Sequence, residues 1–339
     1  MTGTELAYRV RDRSLLLPLY KRLVVEPTVR LLPARLAPNV ITHTGHVLAF
    51  AALAILLVWG ATPAGSAACI AAIVLTHLYN WCDNADGAHA RRTGQCSAMG
   101  ELLDHGLDLL NATYIAAMAA IAIGAPPLWT LAIVLVVVGA AAATYWEQAE
   151  SGMFQLGWLN QIESVFALSV LLAVRAAVGV EVFAVQLGPV PLWLVLAGAL
   201  CANALFTIAQ GLARVWRGRP AAARTFAPLA AFGAAVMAAA LTGALSPTAA
   251  TAIGVAGYVF LGVRHLATRL AKSRPSFEAG VVAVASALLS LALARSLGVH
   301  PSAMLDVVFA TLAVAFFAHY TLRNTRVALR TVRALDRAR

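Results

Sequence analysis

Runs of about twenty apolar residues, separated by short stretches rich in charge, glycine or proline, constrain this chain more than any other feature. A helix rises about 1.5 Å per residue, and a bilayer core of about 30 Å therefore needs roughly twenty apolar residues to cross it. Ten segments answer to that description, at about 44–61, 65–90, 97–123, 127–148, 158–179, 190–213, 225–243, 247–268, 276–297 and 302–322. Backbone groups inside lipid must satisfy one another, so each run predicts a helix. The predicted fold is all-α: a polytopic transmembrane bundle of about ten spans. With 61% of residues hydrophobic and 12% charged, against roughly 45–50% and about 25% in soluble chains, water is the wrong solvent for this surface. The stretch through Arg13 leads into no short apolar segment with a small-residue cleavage site, so no cleavable signal is expected.

The basic residues test the span count. Cytoplasmic loops carry the excess of Lys and Arg. With ten spans and both termini cytoplasmic, 23 of the 25 basic residues fall on the inner side, and only Arg175 and Arg295 fall at outer ends. The same asymmetry accounts for the net charge of +10. It speaks for contact with anionic lipid and against a nucleic-acid partner. Residues 14–32 mix apolar and basic positions and are too interrupted to span, which predicts an amphipathic helix lying on the cytoplasmic interface. Cys69, Cys82, Cys96 and Cys201 show no metal-ligand spacing and read as small apolar fillers.

The chemistry is concentrated in one short segment. Five of the 15 acidic residues, Asp83, Asp86, Glu101, Asp104 and Asp108, lie within 26 positions. Ionisable groups in a span are costly and mark function. Asp83 and Asp86 are spaced i,i+3 near the inner end of the second helix. Asp104 and Asp108 are spaced i,i+4 near the start of the third, so each pair shares a helix face. The short loop with Arg91 and Arg92 makes the two helices antiparallel neighbours, and four carboxylates then converge at the cytoplasmic end. Unpaired, they would repel one another. A purely oxygen ligand set calls for Mg²⁺, with Mn²⁺ as a substitute, and two such ions form a clamp for phosphoryl chemistry. Gly87 and Gly100 leave room for a nucleotide to approach the backbone. Arg91 can make bidentate contacts to phosphate.

The pattern Asp83-x2-Asp86-Gly87-x2-Ala90-Arg91-x8-Gly100-x3-Asp104-x3-Asp108 resembles the signature of the CDP-alcohol phosphotransferases. The resemblance implies two metal ions on Asp83, Asp86, Asp104 and Asp108. It also implies a CDP-linked substrate around Asp83, Gly87, Ala90, Arg91 and Gly100, with CMP as leaving group. Pro38-Asn39-x-Ile41-Thr42 is similar to the family segment that helps enclose the nucleotide, which adds Asn39 and Thr42. Ala90-Arg91-Arg92-Thr93, Gly100-Glu101-Leu102-Leu103-Asp104-His105-Gly106, Trp146-Glu147 and Ile162-Glu163 look like the choline/ethanolamine branch, as does a ten-span architecture. The implied organisation is an N-terminus with the interfacial helix over 1–37 and a catalytic core of six spans over 38–216. Four additional helices over 217–322 and a basic tail over 323–339 complete it.

A phospho-alcohol acceptor must lose a proton. Asp108, the outermost acid of the quartet, is one candidate base. His105, beside Asp104, is another, and the branch resemblance pairs it with Glu163. Glu101 and Glu147 offer negative charge to an amine or quaternary ammonium head group. Glu147 and Glu150 otherwise read as solvated. The expected partners are a CDP-alcohol, a diacylglycerol-like acceptor, the membrane itself, and room for a homodimer. The expected location is the inner membrane or an endomembrane, with the site cytoplasmic. Within the family, CDP-diacylglycerol donation to a polyol or polyol phosphate is the alternative, favoured by any basic pocket in the loop between spans six and seven. A magnesium-dependent prenyltransferase would place its acidic motifs on well-separated helices. An ion-coupled transporter would show repeated halves. Neither pattern is visible.

Overall fold

A computed structural model describes residues 9–271, 273, 278–299 and 303–337. Of the charges used above, Lys272, Arg274 and Arg339 lie outside them. The helices in chain order are α1 (Leu17–Tyr20), α2 (Glu26–Val29), α3 (Pro38–Trp59), α4 (Gly65–Thr93), α5 (Ala98–Ala122) and α6 (Pro127–Ser151). They continue with α7 (Gln161–Val178), α8 (Leu192–Gly218), α9 (Ala223–Leu241), α10 (Pro247–Leu270), α11 (Ala279–Ser296) and α12 (Ala303–Arg337). All ten expected spans are helices. Among the described residues nine are long and apolar enough to cross a membrane. The exception is α5, whose opening turns carry Glu101, Asp104 and Asp108. The first span begins at Pro38, ahead of the expected start, and α12 runs on through the basic tail to Arg337.

The helix ends follow from local chemistry. Pro38 opens α3 and Pro127 opens α6, where a missing N–H costs nothing. Ser97 caps α5, its Oγ accepting from Gly100 N at 3.0 Å. Gly94 ends α4 with φ +69°, a left-handed conformation that a side chain would resist. Four residues, Gly94 to Ser97, connect α4 to α5, and each of the two helices packs against α3 and α7.

The chain divides into two compact units, residues 1–125 with 155–197, and residues 126–154 with 198–339. In the first, α3, α4, α5 and α7 pack around small residues. A Cβ on Gly45 would stand 2.7 Å from the Cβ of Cys82, so only glycine lets α3 approach α4 this closely. The N-terminal segment runs through α1, a π-helical turn at Lys21–Val25, and α2. Val25 and Val29 are buried with Ile41, Cys82 and Ala85, and the Trp81 Nε1–H donates to Thr28 Oγ1 at 2.7 Å. The opposite side leaves Leu15, Leu19, Leu23 and Leu31 exposed, the apolar face that an interfacial helix turns to lipid. His89, buried on α4, places Nε2 2.9 Å from Leu36 O, and Arg92 donates to Leu32 O at 2.7 Å; together they tie the α2–α3 connection down. At the other end of the unit Arg175 of α7 donates to Ile121 O and to Gly60 O, closing carbonyls left over where α5 and α3 stop.

In the second unit α6 and α10 interlock. Leu135 seats against Gly254, and Tyr258 against Gly139 and Gly233. Phe232 meets Tyr258 and Phe317 edge-on, with centroids 5.5 Å away in each case. The C-terminal end of α6 is polar. Glu147, 1% exposed, accepts from Arg214 Nε at 2.6 Å and Nη2 at 2.7 Å. Glu150 accepts from Thr225 Oγ1 at 2.7 Å and lies 3.8 Å from Arg219 Nη1. The reading of Glu147 and Glu150 as solvated is therefore corrected: both are buried and partnered by residues far along the chain.

Candidate metal-binding site

The C-terminal part of α4 and the first turns of α5 carry the site. One carboxylate oxygen from each of Asp83, Asp104 and Asp108 lies within 4.8 Å of the other two. Among the described residues no lysine or arginine forms an ion pair with any of the four aspartates. Asp108 Oδ1 is buried without a hydrogen-bond partner. Three close carboxylates, an orphaned oxygen and, among the described residues, no arginine or lysine paired with them fit a hard divalent ion bound through oxygen. Asp86 sits one turn along α4, held in place by Thr42 Oγ1 donating to Oδ2 at 2.5 Å and by Gly87 N donating to Oδ1 at 2.5 Å. Each of its oxygens keeps a second lone pair for a ligand.

The surrounding residues take up distinct places. Gln161, the first residue of α7, donates to Asp83 Oδ2 at 2.7 Å and so fixes that carboxylate from outside. His105 is buried, with Nδ1 3.5 Å from Asp108 Oδ2. The Arg91 guanidinium lies over Gly87, where a Cβ would stand 3.3 Å from Nη1. Asn39 faces Gly100 from α3, its Oδ1 3.4 Å from where a Cβ on that glycine would be. Ala90 is buried on the same stretch of α4, and Glu101 is half-buried in the first turn of α5. Lys21 was not legible as a neighbour of the site. Burial, and after it the guanidinium of Arg91, hold its ammonium below the usual lysine value, and Asp83 is within electrostatic reach.

Glu163 lies at the head of α7, where its carboxylate is held by several hydrogen bonds. It forms a capping box with Asn160 at the head of α7, its Oε2 accepting from Asn160 N at 3.2 Å. Its Oε1 accepts from Ser14 Oγ at 2.6 Å and from Leu15 N and Leu16 N, both at 2.9 Å. Four hydrogen bonds engage both oxygens, an anchoring arrangement for the N-terminal segment. Asn160 reinforces it by donating to Asp12 Oδ1 at 2.9 Å. Glu163→Ala is expected to speed proteolytic nicking between residues 12 and 17 by at least about fivefold, as local opening becomes easier. An unchanged nicking rate, with turnover lost, would favour proton transfer over anchoring as the role of Glu163. Glu147 has both oxygens engaged by Arg214.

Two helix ends that present carboxylates, a small-residue surface and an arginine can hold a metal-bound diphosphate. Residues 35–184 match the CDP-alcohol phosphatidyltransferase family. The chain is 30% identical over 198 residues to cholinephosphotransferase 1 of Danio rerio, covering 54% of this chain and 52% of the relative. It is 30% identical over 167 residues to ethanolaminephosphotransferase 1 of Mus musculus, covering 45% and 42%. It is 34% identical over 148 residues to CDP-diacylglycerol–serine O-phosphatidyltransferase of Encephalitozoon cuniculi, covering 42% and 38%. The matches thus span about half the length of these relatives or less. The matched segment contains α3, α4, α5 and the head of α7, the elements that build the aspartate site, and over it the chain is similar to the CDP-alcohol phosphatidyltransferase family.

Proposed function

We propose that the protein transfers a phospho-alcohol, phosphoethanolamine or phosphocholine, from its CDP derivative to the free hydroxyl of a diacylglycerol-like lipid, releasing CMP. The close carboxylates of Asp83, Asp104 and Asp108 within the family segment carry this reading. Similarity to proteins named for choline and ethanolamine transfer supports the head group.

Asp83, Asp86, Asp104 and Asp108 would hold two Mg²⁺ ions, with Mn²⁺ as a substitute. Bound there, the metal supplies charge neutralisation of the diphosphate and of the departing CMP. The protein's own groups do the rest. Gly87 and Gly100 let the nucleotide lie against bare backbone. Asn39, Thr42 and Ala90 border that surface, and Arg91 with Lys21 offers two cations to phosphate oxygens. The acceptor oxygen forms a bond to the phosphorus that carries the alcohol, and the bond from that phosphorus to the CMP oxygen breaks. The acceptor's proton passes to His105, which Asp108 orients, or to Asp108 directly. Gln161 keeps Asp83 from swinging during the exchange. The site and both termini face the cytoplasm in this reading, in the inner membrane or an endomembrane, and a homodimer is accommodated.

The serine phosphatidyltransferase relative supports a second reading, in which CDP-diacylglycerol donates to a polyol or its phosphate. A basic pocket between α8 and α9 would favour it. Arg214 and Arg219 of that region are already paired with Glu147 and Glu150, which weighs against it. Purified protein with Mg²⁺, offered labelled CDP-ethanolamine, CDP-choline or CDP-diacylglycerol and matching acceptors, is expected to release CMP from the first two. Release from CDP-diacylglycerol alone selects the second reading, and no release from any donor ends both.

A further inference from the structure

The phosphate chemistry leaves a polar group between α3 and α5 of the first unit unused. His46 of α3 places Nδ1 3.2 Å from Asn111 Oδ1 and Nε2 3.4 Å from the Tyr114 hydroxyl, both on α5. The His46 and Tyr114 rings lie 5.4 Å between centroids, and Phe50 meets Tyr114 at 5.9 Å. The group continues the line of the aspartate site. His46 is one turn beyond Thr42, the residue that holds Asp86. Asn111 is one turn beyond Asp108, and Tyr114 lies about 9 Å beyond Asp108 along the helix axis. The network thus runs from the carboxylates into the spanning part of the helices.

Polar side chains at such a depth are expensive and mark substrate routes. Packing alone would bury the whole group, yet only Asn111 is buried. His46 and Tyr114 are partly exposed, beside Val47 at 63% exposure and Phe50 at 56%. The network therefore opens sideways, onto an apolar flank of the helices. Its chemistry is equally selective. None of the three side chains carries a fixed charge, and together they offer hydrogen-bond donors and acceptors. That set suits hydroxyls and ester carbonyls; a phosphate would call for arginine or lysine.

We propose that His46, Asn111 and Tyr114 seat the glycerol ester carbonyls of the acceptor lipid. Its acyl chains lie along Val47 and Phe50, and its free hydroxyl points back to His105 and Asp108. This assignment rests on the transfer reading above and names the side from which the lipid enters, between α3 and α5. It also makes His46 and Tyr114 specificity-determining residues for an uncharged acceptor.

The test uses the full-length protein in nanodiscs. Tyr114→Phe removes one hydroxyl with no change in shape, and His46→Leu removes the ring nitrogens. Each is expected to raise KM for diacylglycerol about fivefold, the effect of one hydrogen bond, while KM for the CDP-alcohol changes less than about twofold. In parallel, a diazirine-bearing diacylglycerol is photolysed against metal-free protein, a readout that needs no turnover. Labelling at Val47 or Phe50, lost in the double variant, supports the seat even if no donor yields CMP, in which case only the transfer reading falls. Equal rises in both KM values, or labelling confined to other helices, overturn the proposal. Labelling of Val47 or Phe50 that survives in the double variant would also overturn it, since the seat would then not depend on these side chains.

Discussion

Asp104→Asn is expected to lower CMP release by about a thousandfold, equivalent to about 4 kcal/mol of lost transition-state stabilisation. The substitution keeps volume and shape, and it removes one charge from a group whose oxygens crowd within 4.8 Å. Two stability effects of opposite sign follow. Without metal, removing a charge relieves repulsion among Asp83, Asp104 and Asp108, so the denaturation midpoint should hold or rise. With Mg²⁺, wild type should gain about 2.7 kcal/mol when the ion is present at a hundredfold its dissociation constant, and the variant should lose most of that gain. Chelation of the wild type should reproduce the loss of turnover, and added Mg²⁺ or Mn²⁺ should restore it. A variant that keeps both its turnover and its metal-induced shift would remove Asp104 from the ligand set.

Arg214→Leu is expected to destabilise the second unit by about 3 kcal/mol. Glu147 is 1% exposed and takes two short hydrogen bonds from this guanidinium, so its buried carboxylate would lose both of these charge-assisted bonds. Arg214 keeps 34% of its side chain exposed, so the cost is set by the acid it leaves behind. Replacing both residues, Glu147→Leu with Arg214→Leu, should recover most of the loss, because an apolar pair needs no compensation. Denaturation of the three variants in one detergent system checks the cycle. A loss under about 1 kcal/mol for Arg214→Leu would mean that the pair behaves as a surface salt bridge.

What the sequence made legible was local. Ten apolar runs became ten helices because a bilayer imposes one length on any helix that crosses it. The aspartates could be read because their i,i+3 and i,i+4 spacing sets a helix face whatever the rest of the fold does. Ser97 before Gly100 and Gly94 after α4 gave the turn that brings the two pairs together. What stayed illegible was partnership across the chain. Gln161 reaches Asp83 from 78 positions away, Ser14 reaches Glu163 from 149, and Arg214 reaches Glu147 from 67. No periodicity encodes such pairs. Acids that look solvated by composition were buried once distant arginines found them. The same limit hid His46, whose partners Asn111 and Tyr114 become visible only when α3 and α5 lie side by side.

Arg175 gives the first unit a mechanical asymmetry. One guanidinium ties the carbonyls of Gly60 and Ile121 to α7, pinning three helices at the end farthest from the carboxylates. Helices joined at one end move like the arms of tweezers. Over a lever of about 30 Å, a tilt of only about 5° displaces the free end by roughly 2.6 Å. Angular play of α7 against α3 and α5 is therefore smallest at the pinned end and grows toward the carboxylates, while the His46 contacts limit it between α3 and α5 themselves.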